Sequence, residues 1–269
     1  IAEQHAVLFA TGLALQGVKP VAAIYSTFLQ RGYDQIVHDV CLQNLNVVFA
    51  MDRAGLVGDD GPTHHGAFDI AYFRSLPNIV MMAPRDEAML VNMLHTSLIH
   101  DDGPVAIRYP RGVGEGVPLP AIRKAIDIGV GEVLARGDGS VALLGYGSGV
   151  GLAQAAAKLL GEQGIDATVA DARFAKPLDT ELVNELAAGH RLLVTLEEGV
   201  LAGGFGSGVL EHLADNALPV QVLRVGIPDR FIAHGAPNLL HEEIGFTGEA
   251  VAKRVSDRLG AKSPATDAS

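Results

Sequence analysis

The chain reads Val47-Val48-Phe49-Ala50-Met51 and then, without a break, a polar segment from Asp52 to Gly66 that is rich in glycine. A short apolar run bounded by turn residues predicts a strand that is buried on both faces, as in a parallel sheet. Ligands of such sheets bind at the carboxyl ends of the strands, where loops gather. The stretch therefore predicts a buried strand followed by a candidate binding loop, named here the glycine-rich loop (residues 52–66).

Similar apolar runs occur along the whole chain, and segments with helical spacing separate them. The predicted strands are 21–25, 47–51, 79–82, 105–107, 141–144, 167–170, 192–196 and 220–225. The predicted helices are an opening helix that stops at Gly17 to Pro20, and then 32–44, 86–99, 150–163, 179–188 and 206–214. Strands that alternate with helices predict an α/β fold with two domains, each a mostly parallel sheet covered by helices.

The limits of the two domains follow from a segment that lacks periodicity. Residues 112–120 are rich in Gly and Pro, so a linker is predicted over 112–127. The first domain is then 1–111, the second is 128–259, and the polar tail 260–269 is predicted to be disordered. The chain opens with Ile1 and enters an apolar helix with no leader ahead of it, which indicates a fragment or one of two chains.

Composition excludes several classes of partner. The net charge is −11 and no stripe of Lys and Arg is visible, which argues against a nucleic-acid partner. No apolar run is long enough to cross a bilayer, so no membrane partner is expected. The one cysteine, Cys41, excludes an internal disulfide, is typical of a reducing compartment and is predicted to lie in the core. Small molecules remain as ligands, and an anionic one must meet individually placed arginines.

The residues by themselves leave several interpretations open. The glycine-rich loop could be a solvated surface loop with incidental histidines, Glu3 could complement a helix dipole, and Phe28 could be a simple core aromatic. Adjacent histidines such as His64 and His65 seldom converge on one ion, and no Cys or third His lies nearby. No metal site is therefore predicted within this chain.

Five segments resemble one known family in the right order. They are Ile1 to Ala6, Tyr25 to Gln35, Asp60 to His64, Arg108 to Gly112, and Asp171 to Asp179. The first and third are similar to the glutamate motif and the substrate loop of transketolase-like thiamine-diphosphate enzymes. The second resembles the 1-deoxy-D-xylulose-5-phosphate synthase family more than transketolase or the β subunit of pyruvate dehydrogenase. The resemblance covers the chain up to about residue 258 and assigns it to the C-terminal portion of such enzymes.

The resemblance implies an activity and a setting. The first domain would bind the aminopyrimidine of thiamine diphosphate, and the second would be a transketolase C-terminal-like domain. The whole enzyme would be a decarboxylating carboligase that condenses pyruvate with D-glyceraldehyde 3-phosphate to 1-deoxy-D-xylulose 5-phosphate and CO₂, a precursor of isoprenoids, thiamine and pyridoxal. A homodimer in the bacterial cytoplasm or the plastid stroma is expected.

The resemblance also implies roles around the cofactor ring. Glu3 would hold a ring nitrogen of the aminopyrimidine and so activate the cofactor, and partial burial is expected to raise the pKa of its carboxyl. Phe28 would stack on the ring, while Ile1 and Tyr25 would wall the pocket.

A second set of residues is implied at the substrate end. Arg53 and Arg111 would bind the phosphate of the aldehyde, since a guanidinium fork suits that group, and the Tyr25 hydroxyl would assist. Arg31, Asp60 and His64 would line the reacting end. Arg108 lies close to Arg111 on a strand end, and one of the two must point elsewhere.

The family's anchor for the diphosphate and Mg²⁺ is absent from the sequence. That anchor is a Gly-Asp-Gly motif with a later asparagine, and Gly137-Asp138-Gly139 is interpreted as a false match because it precedes a strand instead of ending one. Mg²⁺ is therefore expected to be held by a missing N-terminal domain or chain, and a lone copy should bind cofactor poorly.

Two glycine-rich segments in the second half suggest alternatives. Gly145 to Gly151, with Asp171 after the next strand, imitates a dinucleotide fingerprint, but Val150 stands where the third glycine belongs. Tight packing between a strand and a helix explains these glycines, and Gly203 to Gly208 is predicted to start a helix at a subunit interface. The competing hypotheses are a transketolase, a pyruvate dehydrogenase β subunit, a nucleotide-dependent dehydrogenase and a silent assembly or regulatory module.

Overall fold

The computed structural model describes residues 1–260, which form two five-stranded sheets with helices around them. The strands are β1 (Val21–Ala23), β2 (Val48–Ala54), β3 (Val80–Met82), β4 (Val105–Pro110), β5 (Glu132–Ala135), β6 (Val141–Tyr146), β7 (Thr168–Asp171), β8 (Phe174–Lys176), β9 (Leu192–Val200) and β10 (Gln221–Ile227). The first sheet has the order β1-β2-β4-β3-β8, and the second has the order β10-β9-β6-β7-β5. All pairs are parallel except β3 with β8 and β5 with β7. The predicted fold class is confirmed.

The helices lie on both faces of the sheets and at the ends of the strands. They are α1 (Glu3–Leu15), α2 (Ser26–Leu29), α3 (Tyr33–Gln35), α4 (Asp69–Arg74), α5 (Glu87–Ile99), α6 (Gly149–Gly161), α7 (Thr180–Gly189), α8 (Phe205–Asp215), α9 (Pro237–Ile244) and α10 (Gly248–Gly260). Residues 30–32 form a 3₁₀ turn and 36–41 a π-helical segment, so the helix predicted over 32–44 is present with irregular winding. Cys41 is buried in it, as predicted.

Several elements were missed by the sequence analysis. β5 and β8 are four and three residues long and pair antiparallel at sheet edges, so neither shows a long apolar run. Helices α4, α9 and α10 were also missed. For α9 a signal was present, because Pro237 stands in its first turn and Gly245 ends it with a φ of 70°.

The two domains share one core. β8 follows β7 of the second sheet in sequence but pairs with β3 of the first sheet, with Met81 opposite Lys176. One cluster of buried side chains contains Phe49 and Phe73 from the first half together with Leu144 and Phe205 from the second. Such continuous apolar burial is the main source of stability at the junction, and it holds the two sheets in a fixed relation.

A buried ion pair reinforces this junction. Arg108 on β4 is 3% exposed, and its Nε lies 2.8 Å from Oδ2 of Asp69 on α4. Its other donors reach the backbone oxygens of Glu198 on β9, at 2.9 Å, and of Gly66, at 3.4 Å. Breaking a buried pair leaves a charge without compensation, which is strongly destabilising.

The predicted linker contains no helix or strand, and side chains of α5 hold it at several points, because Asn92 and Thr96 accept hydrogen bonds from the N–H groups of Lys124 and Ile126. The carboxylate of Glu87 accepts hydrogen bonds from the backbone N–H groups of Glu115, Gly116 and Val117. The domain limits at 111, 112–127 and 128–259 stay a prediction, and all of the predicted disordered tail except Gly260 lies outside the described residues. None of the described helices combines the length and apolarity that a bilayer crossing requires.

We expect Asp69→Asn to destabilise the protein, because it keeps the shape of the side chain but leaves the Arg108 guanidinium buried without a counter-charge. The free energy of unfolding in urea should fall by about 3–5 kcal/mol. Glu185→Gln removes the same charge from an exposed pair with Arg136 and should cost about 0–1 kcal/mol. Equal losses in the two variants would contradict the importance assigned to the buried pair.

Candidate active site

The first candidate feature is a groove between α1 and the segment that joins β1 to α2. Its volume is about 340 Å³, and its lining is apolar and aromatic apart from one carboxylate. The lining residues are Ala2, Glu3, Ala6, Ala23, Ile24, Tyr25 and Phe28. The rings of Tyr25 and Phe28 stack with centroids 5.4 Å apart. Glu3 is 8% exposed, so the groove presents one nearly buried carboxylate beside two aromatic faces. One carboxylate oxygen accepts a hydrogen bond of 3.1 Å from Nη1 of Arg31.

The structure brings most of the predicted ring-binding residues together, but not the Ile1 side chain, which is fully exposed. Phe28 also meets His64 edge to face, with centroids 5.2 Å apart. The Arg53 guanidinium lies 3.9 Å from the centroid of the Tyr25 ring, a cation–π contact. Tyr25 and Phe28 therefore connect the groove to residues of the glycine-rich loop.

The glycine-rich loop is closed at its base and carries charged groups at its tip. Gly55 and Gly66 exchange two backbone hydrogen bonds of 2.9 and 2.8 Å. Asp60 accepts a hydrogen bond of 3.0 Å from Nη1 of Arg111, which also donates to the Val57 oxygen at 3.5 Å. Both partners of this ion pair are half exposed, so Arg111 keeps donors free for an anion.

The two arginines that the sequence left undecided are now separated by position. Arg108 points into the junction between the domains and has no exposed face for a ligand. Arg111 lies at the surface beside the glycine-rich loop. Arg53, the next-to-last residue of β2, has a φ of 56°, an uncommon backbone conformation for a non-glycine residue.

Neither adjacent histidine offers a metal site. His65 is buried; its Nδ1 accepts from the Val57 N–H at 3.1 Å, so Nε2 carries the hydrogen and donates to the Ala233 oxygen at 3.2 Å. His64 interacts through Nδ1 with the Thr63 hydroxyl at 2.9 Å. In residues 1–260 no group of three or more His, Cys, Asp or Glu side chains is placed to hold a metal ion.

The groove fits the ring of the implied cofactor. A heteroaromatic ring needs an apolar slot with an aromatic face, and a ring nitrogen that carries or shares a proton needs one carboxylate. Glu3, Tyr25 and Phe28 supply this combination. The residues described here offer no counterpart for a metal-bound diphosphate, so the fit concerns the ring end alone.

The glycine segments of the second half have structural roles. A Cβ at Gly145 would lie 2.6 Å from Val150 Cα, and one at Gly149 would lie 2.2 Å from the Leu196 oxygen. The predicted tight packing is therefore confirmed. Asp171 is buried and paired with Arg85 at 2.8 Å, which leaves it unsuited to a ribose. Gly203 to Gly208 contains the start of α8, as predicted.

Gly137-Asp138-Gly139 precedes β6, as predicted, and it begins two residues after Ala135, where β5 ends. The segment forms the connection to β6, and the Asp138 carboxylate accepts a hydrogen bond of 2.8 Å from the Ser140 N–H. A carboxylate used in this way supports its interpretation as a turn residue.

Sequence reasoning missed two buried carboxylates in the second half of β9, Glu197 and Glu198. Glu197 accepts hydrogen bonds from the N–H groups of Phe205 and Gly206 at the start of α8, and burial raises its pKa to about 7. Glu198 accepts from the Leu56 N–H at 2.9 Å, the Ser148 hydroxyl at 2.8 Å and His241 Nε2 at 2.9 Å. The available signal in the sequence was a pair of acids directly after the apolar run 192–196.

The charges of Glu198 and His241 depend on each other. Burial by itself raises the pKa of Glu198, but the hydrogen bond and charge of His241, with the Leu56 and Ser148 donors, bring it below the usual value. The hydrogen bond to Glu198 raises the pKa of His241. The pair is therefore stabilised in its ionised form.

Comparison with known proteins gives consistent results. Residues 1–115 match the family described as "Transketolase, pyrimidine binding domain", and residues 129–251 match "Transketolase, C-terminal domain". A solved structure described as "Split gene transketolase, inactive beta4 tetramer" superposes with a TM-score of 0.87 and 34% identity, over 96% of this chain and 82% of that one.

Two curated relatives are 1-deoxy-D-xylulose-5-phosphate synthases. That of Thermomicrobium roseum is 56% identical over 94% of this chain and 40% of its own length, and that of Acaryochloris marina is 56% identical over 97% of this chain and 41% of its own length. The chain thus spans about 40% of the length of these synthases. It belongs to the transketolase family, with a pyrimidine-binding domain followed by a transketolase C-terminal domain, and it shares more than half of its residues with 1-deoxy-D-xylulose-5-phosphate synthases.

Proposed function

We propose that the chain forms the pyrimidine-binding and C-terminal parts of a thiamine-diphosphate-dependent enzyme that condenses pyruvate with D-glyceraldehyde 3-phosphate to give 1-deoxy-D-xylulose 5-phosphate and CO₂. The observation that carries the proposal is the Glu3 carboxylate in a groove with two aromatic faces, joined through Tyr25 to Arg53 and the glycine-rich loop. The similarity to synthases of this name supports the choice of substrates over those of transketolase or pyruvate dehydrogenase.

Glu3 is the proposed catalytic residue for cofactor activation. When bound, thiamine diphosphate supplies a carbon nucleophile that takes up the electrons released by decarboxylation. Glu3 would hold a proton at the ring nitrogen of the aminopyrimidine and so favour the tautomer that can remove a proton from the nucleophilic carbon. Arg31, which already binds Glu3, would fix the orientation of that carboxyl group.

Arg111 and Arg53 are the proposed phosphate ligands. Both guanidinium groups lie beside the glycine-rich loop, and Tyr25, which contacts Arg53, can offer its hydroxyl. A phosphate would compete with Asp60 for Arg111, and the stronger charge of a phosphate favours that exchange. Asp60 and His64 would then be available as proton donors and acceptors at the reacting end.

The proposal requires a further segment. We propose that an N-terminal domain, in the same chain or in a partner chain, binds the diphosphate and Mg²⁺, and that the complete enzyme is a homodimer in the cytoplasm or the plastid stroma. The inactive β4 tetramer of the split-gene transketolase supports the idea that such a chain needs a partner.

We expect Glu3→Gln in the complete enzyme to lower kcat by about 100-fold or more, because the amide cannot exchange the proton at the ring nitrogen. Asp34→Asn, which removes the same charge from an exposed position, should leave kcat unchanged. Formation of 1-deoxy-D-xylulose 5-phosphate from the two substrates is the measurement. Turnover of the Glu3 variant within a few-fold of the parent would contradict the role of this carboxylate.

Arg111→Gln should raise KM for D-glyceraldehyde 3-phosphate by about tenfold or more, the value of a charge-assisted hydrogen bond, and leave KM for pyruvate unchanged. Arg123→Gln makes the same change at an exposed linker position and should have no effect. Steady-state kinetics with each substrate varied in turn gives both constants. Equal increases in the two KM values would argue against a phosphate ligand.

The isolated 269-residue chain should show no measurable condensation and weak binding of thiamine diphosphate, because the described residues lack a metal cluster for the diphosphate. Addition of the N-terminal segment of the same enzyme should restore both. Calorimetry of cofactor binding and a product assay test this. Full activity of the chain by itself would overturn the division of the site between two segments, and inactivity of the mixture would favour a silent assembly module.

A further inference from the structure

The glycine-rich loop belongs to the first domain, yet the second domain holds it at its first turn. The Leu56 N–H, just after β2, donates to Glu198 of β9 at 2.9 Å. Gly55 permits this contact, because a Cβ at that position would lie 2.4 Å from the Glu198 carboxyl carbon, and the φ of Gly55 is +79°. The backbone of the loop therefore follows a path that fits the carboxylate of Glu198.

His241 holds that carboxylate in place. Glu198 is 4% exposed, and such a buried charge needs partners for its oxygens. His241 on α9 binds the same oxygen that accepts from Leu56, at 2.9 Å, and Ser148 binds the other oxygen. Removal of the His241 donor would leave the carboxylate with only neutral donors and without the contact on α9 that fixes its orientation towards the loop.

The segment before α9 contacts the loop at further points. The Gly235 N–H donates to the Gly58 oxygen at 3.4 Å, and Pro237 contacts the same glycine. His234 lies against Gly61, and His65 donates to the Ala233 oxygen. The second domain thus braces one side of the loop from its first turn to its end.

The same loop contains or contacts the candidate phosphate ligands. Val57 and Asp60 provide the oxygens that bind Arg111, and Val57 directly follows the residue that Glu198 holds. Arg53 lies three residues before Leu56, in a strained backbone conformation that needs support from its surroundings. A shift of the Leu56 amide would displace both arginines relative to each other.

We propose that Glu198 and His241 are positioning residues of the second domain, which fix the Leu56 amide and so hold the glycine-rich loop in the conformation that presents Arg53 and Arg111 together to the substrate phosphate. The inference rests on the proposed function for the identity of the substrate. It assigns to the C-terminal domain a part in substrate recognition, although no side chain of that domain is among the proposed ligands.

The test uses the complete enzyme with substitutions on α9. His241→Ala removes the donor, and His241→Gln keeps an N–H that can reach Glu198. Glu242→Gln changes an exposed charge on the same helix and is the control. We expect His241→Ala to raise KM for D-glyceraldehyde 3-phosphate about tenfold, with kcat and KM for pyruvate within about twofold of the parent. In His241→Gln, KM for D-glyceraldehyde 3-phosphate should return most of the way to the parent value.

Hydrogen exchange supplies a readout without turnover. Peptides that contain residues 55–61 should exchange faster in His241→Ala than in the parent, and at the parent's rate in His241→Gln and Glu242→Gln. Ser148→Ala removes another partner of Glu198 and should shift KM and exchange in the same direction by a smaller factor, which keeps the test open if His241→Ala does not fold.

Unchanged hydrogen exchange of the loop and an unchanged KM for D-glyceraldehyde 3-phosphate in both His241→Ala and Ser148→Ala would overturn the inference. A fall in kcat with similar rises in both KM values, which His241→Gln does not relieve, would overturn it as well. A parent enzyme that does not condense the two substrates would overturn the proposed function instead. In that case faster hydrogen exchange of the loop in His241→Ala would still support the role of Glu198 and His241 in holding the glycine-rich loop.

Discussion

The fold depends on one buried charge that cannot be neutralised. The guanidinium of Arg108 keeps its proton at any physiological pH, so its burial requires acceptors on every side. Asp69, the Gly66 oxygen and the Glu198 oxygen supply them. These three acceptors come from α4, from the end of the glycine-rich loop and from the second sheet. One side chain therefore connects the two domains and the loop that lies between them.

Glu198 extends this constraint to the candidate site. Its backbone oxygen shares Arg108 with Gly66 at the end of the glycine-rich loop, and its carboxylate binds Leu56 at the beginning. Gly55 and Gly66 also bind each other, so both ends of the loop are fastened to a single residue of β9. The tip of the loop, with Asp60, is left exposed. A rigid base with an accessible tip is an arrangement suited to presenting ligands to a small substrate.

The parts predictable from sequence were those with local signals. All strands except β5 and β8, the loop after β2 and the aromatic pair near Glu3 follow from short runs or motifs. Glu198 and Leu56 are 142 positions apart, and periodicity carries no information about such a pair. Tertiary contacts also decide that Arg108 is buried at the junction while Arg111 stays at the surface.

The net charge of −11 explains why the proposed phosphate contact needs a braced loop. A protein with this charge does not attract anions over long distances, and salt screens what field remains beyond about 10 Å. Recognition of a phosphate must then come from guanidinium groups at hydrogen-bonding distance. Such contacts weaken steeply when the angle at the donated hydrogen falls below about 120°. In the proposed function, precise placement of Arg53 and Arg111 would replace electrostatic attraction, and the buried network that spans both domains is the proposed means of maintaining that placement.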